Sequence, residues 1–275
     1  MNGIALAKQI GIRPETVSLI EKFSMDAERE KQLKTLFYED YQAFREEAAK
    51  EENANLAVLY LYLKWAEDTR EKYREIGADE SMFLDAMRDI QIWTEDHYVK
   101  TGGHGILDWG WPQQLMKLKV FRIGRLEFEP AVMWEDIEVN GKKVLKGENI
   151  LGVHIPAGEK LSPEAVKESL LRAPAFFRKH YGTEYRAYQC GSWLLSPDLE
   201  KLLKPDSAIL RFQKNFTLYA VKPSRQAEER VFLRVSDDYE SYPEDTTLRK
   251  NLKMYLLSGG SVRNGSGIGF FEDIG

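Results

Sequence analysis

Cysteine is nearly absent: Cys190 is the one cysteine in the chain, so neither a disulfide framework nor a cysteine-rich zinc site can be built, and a reducing compartment suits it. Histidine is scarce too, with four residues, which draws attention to any histidine near a reactive site. No apolar run approaches the roughly 20 residues that a membrane-spanning helix needs. The first residues include Lys8 and no apolar signal core. Positive charge is not in excess, since the net charge is −5 and the pI about 5.6, so no bulk field displaces counterions from a phosphate backbone. These absences read as a soluble, cytoplasmic protein with no nucleic-acid and no membrane partner; they leave the oligomeric state open.

What is present suits two modest domains. The chain has 275 residues, 43% apolar and 30% charged, a globular balance with enough length for two cores. The first hundred residues are helical in pattern. Ser24 is placed to cap a helix running to about Lys50, with Leu33, Leu36, Phe37, Tyr41 and Phe44 on one face. Asn55 opens a second helix, with Leu56, Leu59, Tyr60 and Leu63 inward and Gly77 as its stop. A third begins at Asp79, buries Phe83, Ala86, Met87 and Ile90, and ends at Gly102-Gly103. Ahead of them, Leu6 to Glu21 has the spacing of a helix-turn-helix. Its second helix lacks a basic face, so it reads as a packing motif and not a DNA reader.

The period changes after Trp111-Pro112, which places a domain boundary near residue 115. Leu118 to Glu129 alternates as a strand ending at Pro130. Asn140-Gly141 marks a hairpin, and Asn149 to Ile155 is a further strand. Ser162-Pro163-Glu164 opens a helix with a hydroxyl cap, proline in the first turn and a carboxylate near the positive helix end; a break is expected at Pro174. Tyr185 to Leu195 reads as a strand, Ser196-Pro197-Asp198 as a short helix start and Asn215 to Lys222 as a strand. Asp245 to Leu257 reads as a helix and Gly267 to Glu272 as a last strand. The order β-β-β-α-β-α-β-α-β describes a mixed sheet, so the fold class is α+β.

Several strings carry a resemblance. They are Phe121-Arg122-Ile123-Gly124-Arg125-Leu126-Glu127-Phe128-Glu129, then His154-Ile155-Pro156, then Cys190-Gly191-Ser192-Trp193-Leu194-Leu195, and late in the chain Thr247-Leu248 with Gly259, Gly260, Gly265, Gly267 and Gly269. Together they resemble the GNAT-like C-terminal domain of a two-domain N-acyltransferase family of Firmicutes. The helical first half resembles that family's N-terminal partner domain. The resemblance implies a helical N-terminal domain over 1–115 and a GNAT-like mixed α/β sheet domain over 116–275. It implies an acyl-CoA, acetyl-CoA or longer, as co-substrate and an amine of a small molecule or peptide as acceptor, with the helical domain helping to shape the acceptor pocket. It also implies that Ile155, Pro156, Ala157, Gly158, Lys160 and Ser162 bind the coenzyme, through main-chain groups and the helix N-terminus. The loop departs from the family pattern. It has Gly158 but no second small residue, Glu159 stands where an anion would lie, and Asp198 to Leu203 contains no tyrosine to serve as acid. A non-catalytic ligand-binding or sensor protein is therefore the alternative reading.

Four residues are candidates for the chemistry. His154 ends a strand beside the implied thioester site and titrates near neutrality in its ordinary state, which suits a general base; the other reading is a histidine hydrogen-bonded in a sheet. Glu127 and Glu129 share one strand face and are alternative bases, or else ion-pair partners of Arg122 or Arg125. Tyr188, with Tyr219, is a candidate for the missing acid. Cys190 reads as a buried apolar thiol, because neither a base nor a positive helix end neighbours it in sequence. Trp193 reads as core, and the glycine string from Gly265 to Gly269 as a turn into the last strand, since no helix follows it. No metal site is read.

Overall fold

The computed structural model describes residues 2–274, which cluster into two compact units, residues 2–122 with Pro156–Gly158, and Ile123–Ile155 with residues 159–274. The first unit contains α1 (Gly3–Ile10), α2 (Pro14–Lys22), α3 (Ala27–Glu39), α4 (Tyr41–Ala48), α5 (Ala54–Glu75), α6 (Glu80–Thr101) and α7 (Pro112–Met116). Side-chain caps set several of the starts: Asn2 Oδ1 accepts from Ala5 N–H, and Asn53 Oδ1 accepts from Leu56 N–H. The single helix expected from Ser24 to Lys50 is two helices. Asp26 is the cap of α3, and Asp40, extended at φ −141°, ends α3 and caps α4 through Ala43 N–H. One carboxylate serving as stop and start cannot be told from a surface acid by periodicity alone.

The core of this unit is aromatic. Phe37 and Phe44 lie 5.5 Å apart edge to face, and Trp65 stands 5.3 Å from Phe37. All three are buried, as are Leu33, Leu59, Leu63, Phe83, Met87 and Ile90. Burial of such rings supplies most of the drive to fold, with edge contacts adding a smaller share. The hydroxyls of Tyr41 and Tyr62 both donate to the Trp109 carbonyl, at 2.5 and 2.7 Å. In the first two helices Leu6, Ala7, Ile10, Val17 and Ile20 turn inward, the pattern of a packing motif.

The elements that follow are β1 (Phe121–Ile123), β2 (Leu126–Val132), β3 (Ile137–Val139), β4 (Lys142–Val144), β5 (Asn149–His154), α8 (Pro163–Tyr181), β6 (Ala187–Ser192), α9 (Ala208–Gln213), β7 (Thr217–Lys222), α10 (Gln226–Phe232), α11 (Thr247–Leu257) and β8 (Asn264–Phe270). The main sheet runs β1-β2-β5-β6-β8-β7. Its β5–β6 pair is parallel, whereas β2–β5, β6–β8 and β7–β8 are antiparallel. The fold is thus α+β, a helical N-terminal region followed by a mixed-sheet domain.

Several boundaries differ from the sequence expectation. The strand expected over Leu118–Glu129 is folded in two at Gly124, whose φ of 68° makes the turn. β2 then continues through Pro130, which pairs in register with Leu151, to Val132. The Asn140-Gly141 hairpin forms, with both residues left-handed (φ 50° and 75°), but as a separate two-stranded sheet. α8 runs unbroken through Pro174 because buried Leu170, Ala173, Phe176 and Phe177 hold the turns on both sides. Thr246, not Asp245, caps α11, while α9, capped by Ser207, and α10 were not expected from the sequence. Among the described residues no helix is long and apolar enough to cross a membrane.

Candidate active site

β5 and β6 are six residues each, yet their parallel ladder covers Ile150–Ala187, Leu151–Tyr188 and Gly152–Gln189 and no further. Beyond that point β5 remains in register with β2 as far as His154, and β6 with β8 as far as Ser192. The two central strands therefore diverge. Their facing edges, from Val153 on one side and Cys190 on the other, leave the ladder together, and main-chain donors and acceptors line the gap.

Residues in register point to the same side of a sheet. Glu127 is opposite His154, and Glu129 opposite Gly152, which in turn pairs with Gln189. At the diverging end this face is polar. His154 Nε2 lies 3.0 Å from Glu129 Oε2, both side chains partly exposed. Glu127 is buried. Gln189 donates to the Tyr219 hydroxyl at 2.6 Å, and burial pushes that phenol up to about 12. Gly152 and Gly191 place no side chain among these groups. Toward the other end the same face is the apolar patch of Met133, Ile150, Ala187, Ile268 and Phe270. One sheet face thus grades from apolar core to ionisable and polar side chains over a single strand length.

The loop after β5 is held from beneath. Arg125 donates through Nε to the Lys160 carbonyl at 3.2 Å and through Nη2 to the Glu159 carbonyl at 2.9 Å. Its own N–H is taken by Ser169 Oγ at 2.8 Å. Ser162 Oγ accepts from Ala165 N–H at 3.2 Å and starts α8. Lys160 and Glu159 are therefore fixed by their carbonyls, and both residues are exposed. Pro156 is buried, whereas Ala157 and Gly158 are exposed.

The sequence candidates fall into two groups. Glu127, Glu129 and His154 share the face just described, with Ile155 directly after. Tyr188 is on the opposite face with Leu151. Its ring packs 4.8 Å from Phe271 and 5.3 Å from Phe216, its hydroxyl donates to the Asn215 carbonyl at 2.9 Å, and burial raises its pKa. It also lines a cleft of about 330 Å³ with Pro163, Lys167, Arg211 and Lys214. Cys190 is buried on the Tyr188 face, where burial pushes the thiol up to about 12, an inert state. Other contributors were not expected in these places, Arg125 having been read only as an ion-pair partner of Glu127 or Glu129. Gln189 is visible only through the strand register, Arg125 only through the turn at Gly124, and the Lys167, Arg211 and Lys214 trio only through tertiary folding. Among the described residues no group of His, Cys, Asp and Glu is arranged to hold a metal ion.

Residues 120–269 match a family model described as the GNAT-like C-terminal domain, and residues 1–118 match one described as the N-acyltransferase N-terminal domain. No significant match is found among curated proteins. Solved structures do resemble the chain. An acyltransferase in complex with decanoyl-CoA has 24% identity and a TM-score of 0.78, over 96% of this chain and 86% of that one. An acyltransferase in complex with decanoyl-CoA and teicoplanin has 22% identity and a TM-score of 0.80, over 97% and 87%. An acyltransferase mutant in complex with octanoyl-CoA has 21% identity and a TM-score of 0.80, over 97% and 86%. At these identities the likeness is one of fold.

Proposed function

The chain belongs to the GNAT-like family whose C-terminal domain spans residues 120–269, and on that premise we propose that it transfers an acyl group from an acyl-CoA to an amine of a small molecule or peptide. The observation that carries this reading is the His154–Glu129 pair, 3.0 Å apart, at the end where β5 and β6 part. An extended pantetheine arm would enter that gap as a partial strand, bonding to main-chain groups of Val153 and Ile155. The segment Ile155, Pro156, Ala157, Gly158, Lys160 and Ser162, with the start of α8, would receive the diphosphate through N–H groups and the helix dipole. Lys167, Arg211 and Lys214 add cationic charge in the cleft beside Pro163.

The chemistry needs one proton acceptor. In the neutral imidazole, Nε2–H donates to Glu129, so the basic lone pair is on Nδ1. The amine nitrogen attacks the thioester carbonyl, the C–N bond forms, and its proton passes to His154 Nδ1. The C–S bond then breaks and the thiolate leaves, to be protonated in turn. Glu129 orients the ring and stabilises the imidazolium. Glu127 is the second carboxylate on this face, and Tyr219 is joined to the same face through Gln189, whereas Tyr188 is on the other.

The test is thiol release from acetyl-, octanoyl- and decanoyl-CoA across a panel of amines, teicoplanin among them, with coenzyme binding followed in parallel. A His154→Ala variant is expected to bind acyl-CoA normally and to lose about 10²- to 10⁴-fold in turnover. Undiminished turnover by that variant would remove the assignment. Tight binding without thiol release from any amine favours the sensor reading, and failure to bind any coenzyme thioester discards both.

A further inference from the structure

Tyr219 has no opposite number in the sheet. Leu218 is opposite Gly267 and Ala220 opposite Ser266, so Tyr219 is the extra residue of a bulge in β7, a device that re-aims one side chain. Its ring reaches back past β8 to β6, where Gln189 Nε2 lies 2.6 Å from the hydroxyl. Ser266 on β8 acts on the same oxygen as a donor, while Glu135 and the buried Cys190 oppose its ionisation. A phenol has two lone pairs and one proton. With Gln189 and Ser266 on the lone pairs, the proton is directed away from both, and among the described residues no group accepts it.

The space before that proton is open. Gly152 and Gly191 flank the gap between β5 and β6, one on each strand. A Cβ on Gly191 would meet Ser266 Oγ at 3.9 Å and nothing nearer, and one on Gly152 would meet Glu129 and His154 no closer than 3.5 Å. His154 is on the β5 side of the gap. Tyr219 is brought to the β6 side by Gln189, which is in register with Gly152 at the last rung of the ladder. In the reading given above, on which this inference rests, a pantetheine arm enters the gap. It must stop at that rung, because beyond it the two strands are bonded to each other. The thioester then lies between the two sides.

The geometry points to Tyr219 as the group that hydrogen-bonds the coenzyme sulfur, a fixed donor to the thiolate that leaves. As the C–N bond forms, the amine proton passes to His154 Nδ1. As the C–S bond breaks, its electron pair stays on sulfur, facing the Tyr219 O–H. The phenol keeps its proton. Burial pushes it up to about 12, whereas an ordinary thiol is near 8.5, so transfer from oxygen to sulfur would run uphill by roughly a thousandfold or more. The thiolate takes its proton from water, to which His154 returns the one it accepted, and the step balances. Tyr219 thus stabilises charge where it develops and is not the missing acid.

The test uses coenzyme A itself and does not depend on turnover. The protein is saturated with free coenzyme A, and ionisation of the bound thiol is followed by its ultraviolet thiolate difference spectrum as pH rises. In the parent the thiol is expected to ionise about one pH unit or more below unbound coenzyme A, the effect of one hydrogen bond to a charged group. In Tyr219→Phe it is expected to return to the unbound value, with affinity for coenzyme A and thermal midpoint unchanged. With acyl-CoA and a competent amine, kcat should fall about tenfold or more in this variant while KM for acyl-CoA stays the same. Equal thiol ionisation in parent and variant would overturn the assignment, as would loss of coenzyme binding in Tyr219→Phe. A parent that shows the shift yet releases no thiol from acyl-CoA with any amine upholds the assignment and defeats the transfer reading. A parent that binds no coenzyme defeats both.

Discussion

At the scale of single residues, the charges that matter most to stability are those with little water around them. Asp198 is buried and is held by Arg263, through Nε at 2.8 Å and Nη2 at 3.1 Å. That guanidinium keeps the carboxyl down at about 2. The folded value lies below the unfolded one, near 3.9, so the stabilisation is complete above about pH 5 and is lost as pH falls through 2. A shift of this size corresponds to roughly 2 kcal/mol. Arg263→Gln is therefore expected to lower stability in urea at pH 7 by about that amount, and by much less near pH 2. An equal loss at both pH values would show that packing, not charge, is at stake. Gly124 offers a second test. A Cβ there would stand 2.7 Å from Ser169 Oγ, on a left-handed residue that disfavours side chains. Gly124→Ala should cost about 2 kcal/mol or more. Adding Ser169→Ala should cost less in that background than alone, which a double-mutant cycle in denaturant would read. Of the residues singled out from sequence, Cys190 was the most legible, because a thiol without a base or helix end nearby has no means of activation. The place of Tyr188 was less so, since strand parity shows which residues share a side but not that its ring packs between Phe216 and Phe271 on the face away from His154 and Glu129.

At the scale of elements, capping chemistry made the helices readable and its double uses made them misread. Ser162-Pro163-Glu164 marks the start of α8, with Ser162 as the cap, because hydroxyl, proline and acid each act there locally. Asp40 was read through because a cap in mid-pattern looks like any surface acid. The turn at Gly124 was missed because alternation continues across it, so the Arg125 support for the loop after β5 was invisible. The divergence of β5 from β6 is a property of pairing, and no one-dimensional pattern records it. It also makes a prediction. A Cβ on Gly152 would meet Glu129 Cβ at 3.5 Å and His154 Nε2 at 3.6 Å, ordinary contacts. Gly152→Val should therefore fold, since valine suits a strand, while its methyl groups crowd the His154–Glu129 pair. We expect turnover to fall by about tenfold or more, with thermal stability kept within roughly 1 kcal/mol of the parent. Full activity in this variant would place the chemistry away from that face.

At the scale of the whole molecule, a shift from period 3.6 to period 2 was enough to predict a helical region followed by a mixed sheet, because each pattern buries one face and little else. The proposed function was less legible, since it would rest on a gap between strands and on a face assembled from β2, β5, β6 and β7. The net charge of −5 sets a further condition, that the cation-rich cleft with Lys167, Arg211 and Lys214 acts locally against an acidic whole. Anions that fit should bind, and long polyanions should not, so a DNA titration is expected to show no salt-dependent association. Binding also couples to folding. A coenzyme thioester that binds only the native state stabilises it by RT ln(1 + [L]/Kd), about 2.7 kcal/mol at a hundredfold excess over Kd. For a chain of this size that corresponds to a rise of about 5 °C in the melting midpoint, growing with ligand concentration. Charge reversal in the cleft, Arg211→Glu with Lys214→Glu, should diminish that rise for acyl-CoA while leaving the midpoint of the free protein near its original value, because both side chains are exposed. If the rise survives the reversal undiminished, the phosphates are held elsewhere, and the loop from Pro156 to Ser162 must then bind them without that cleft.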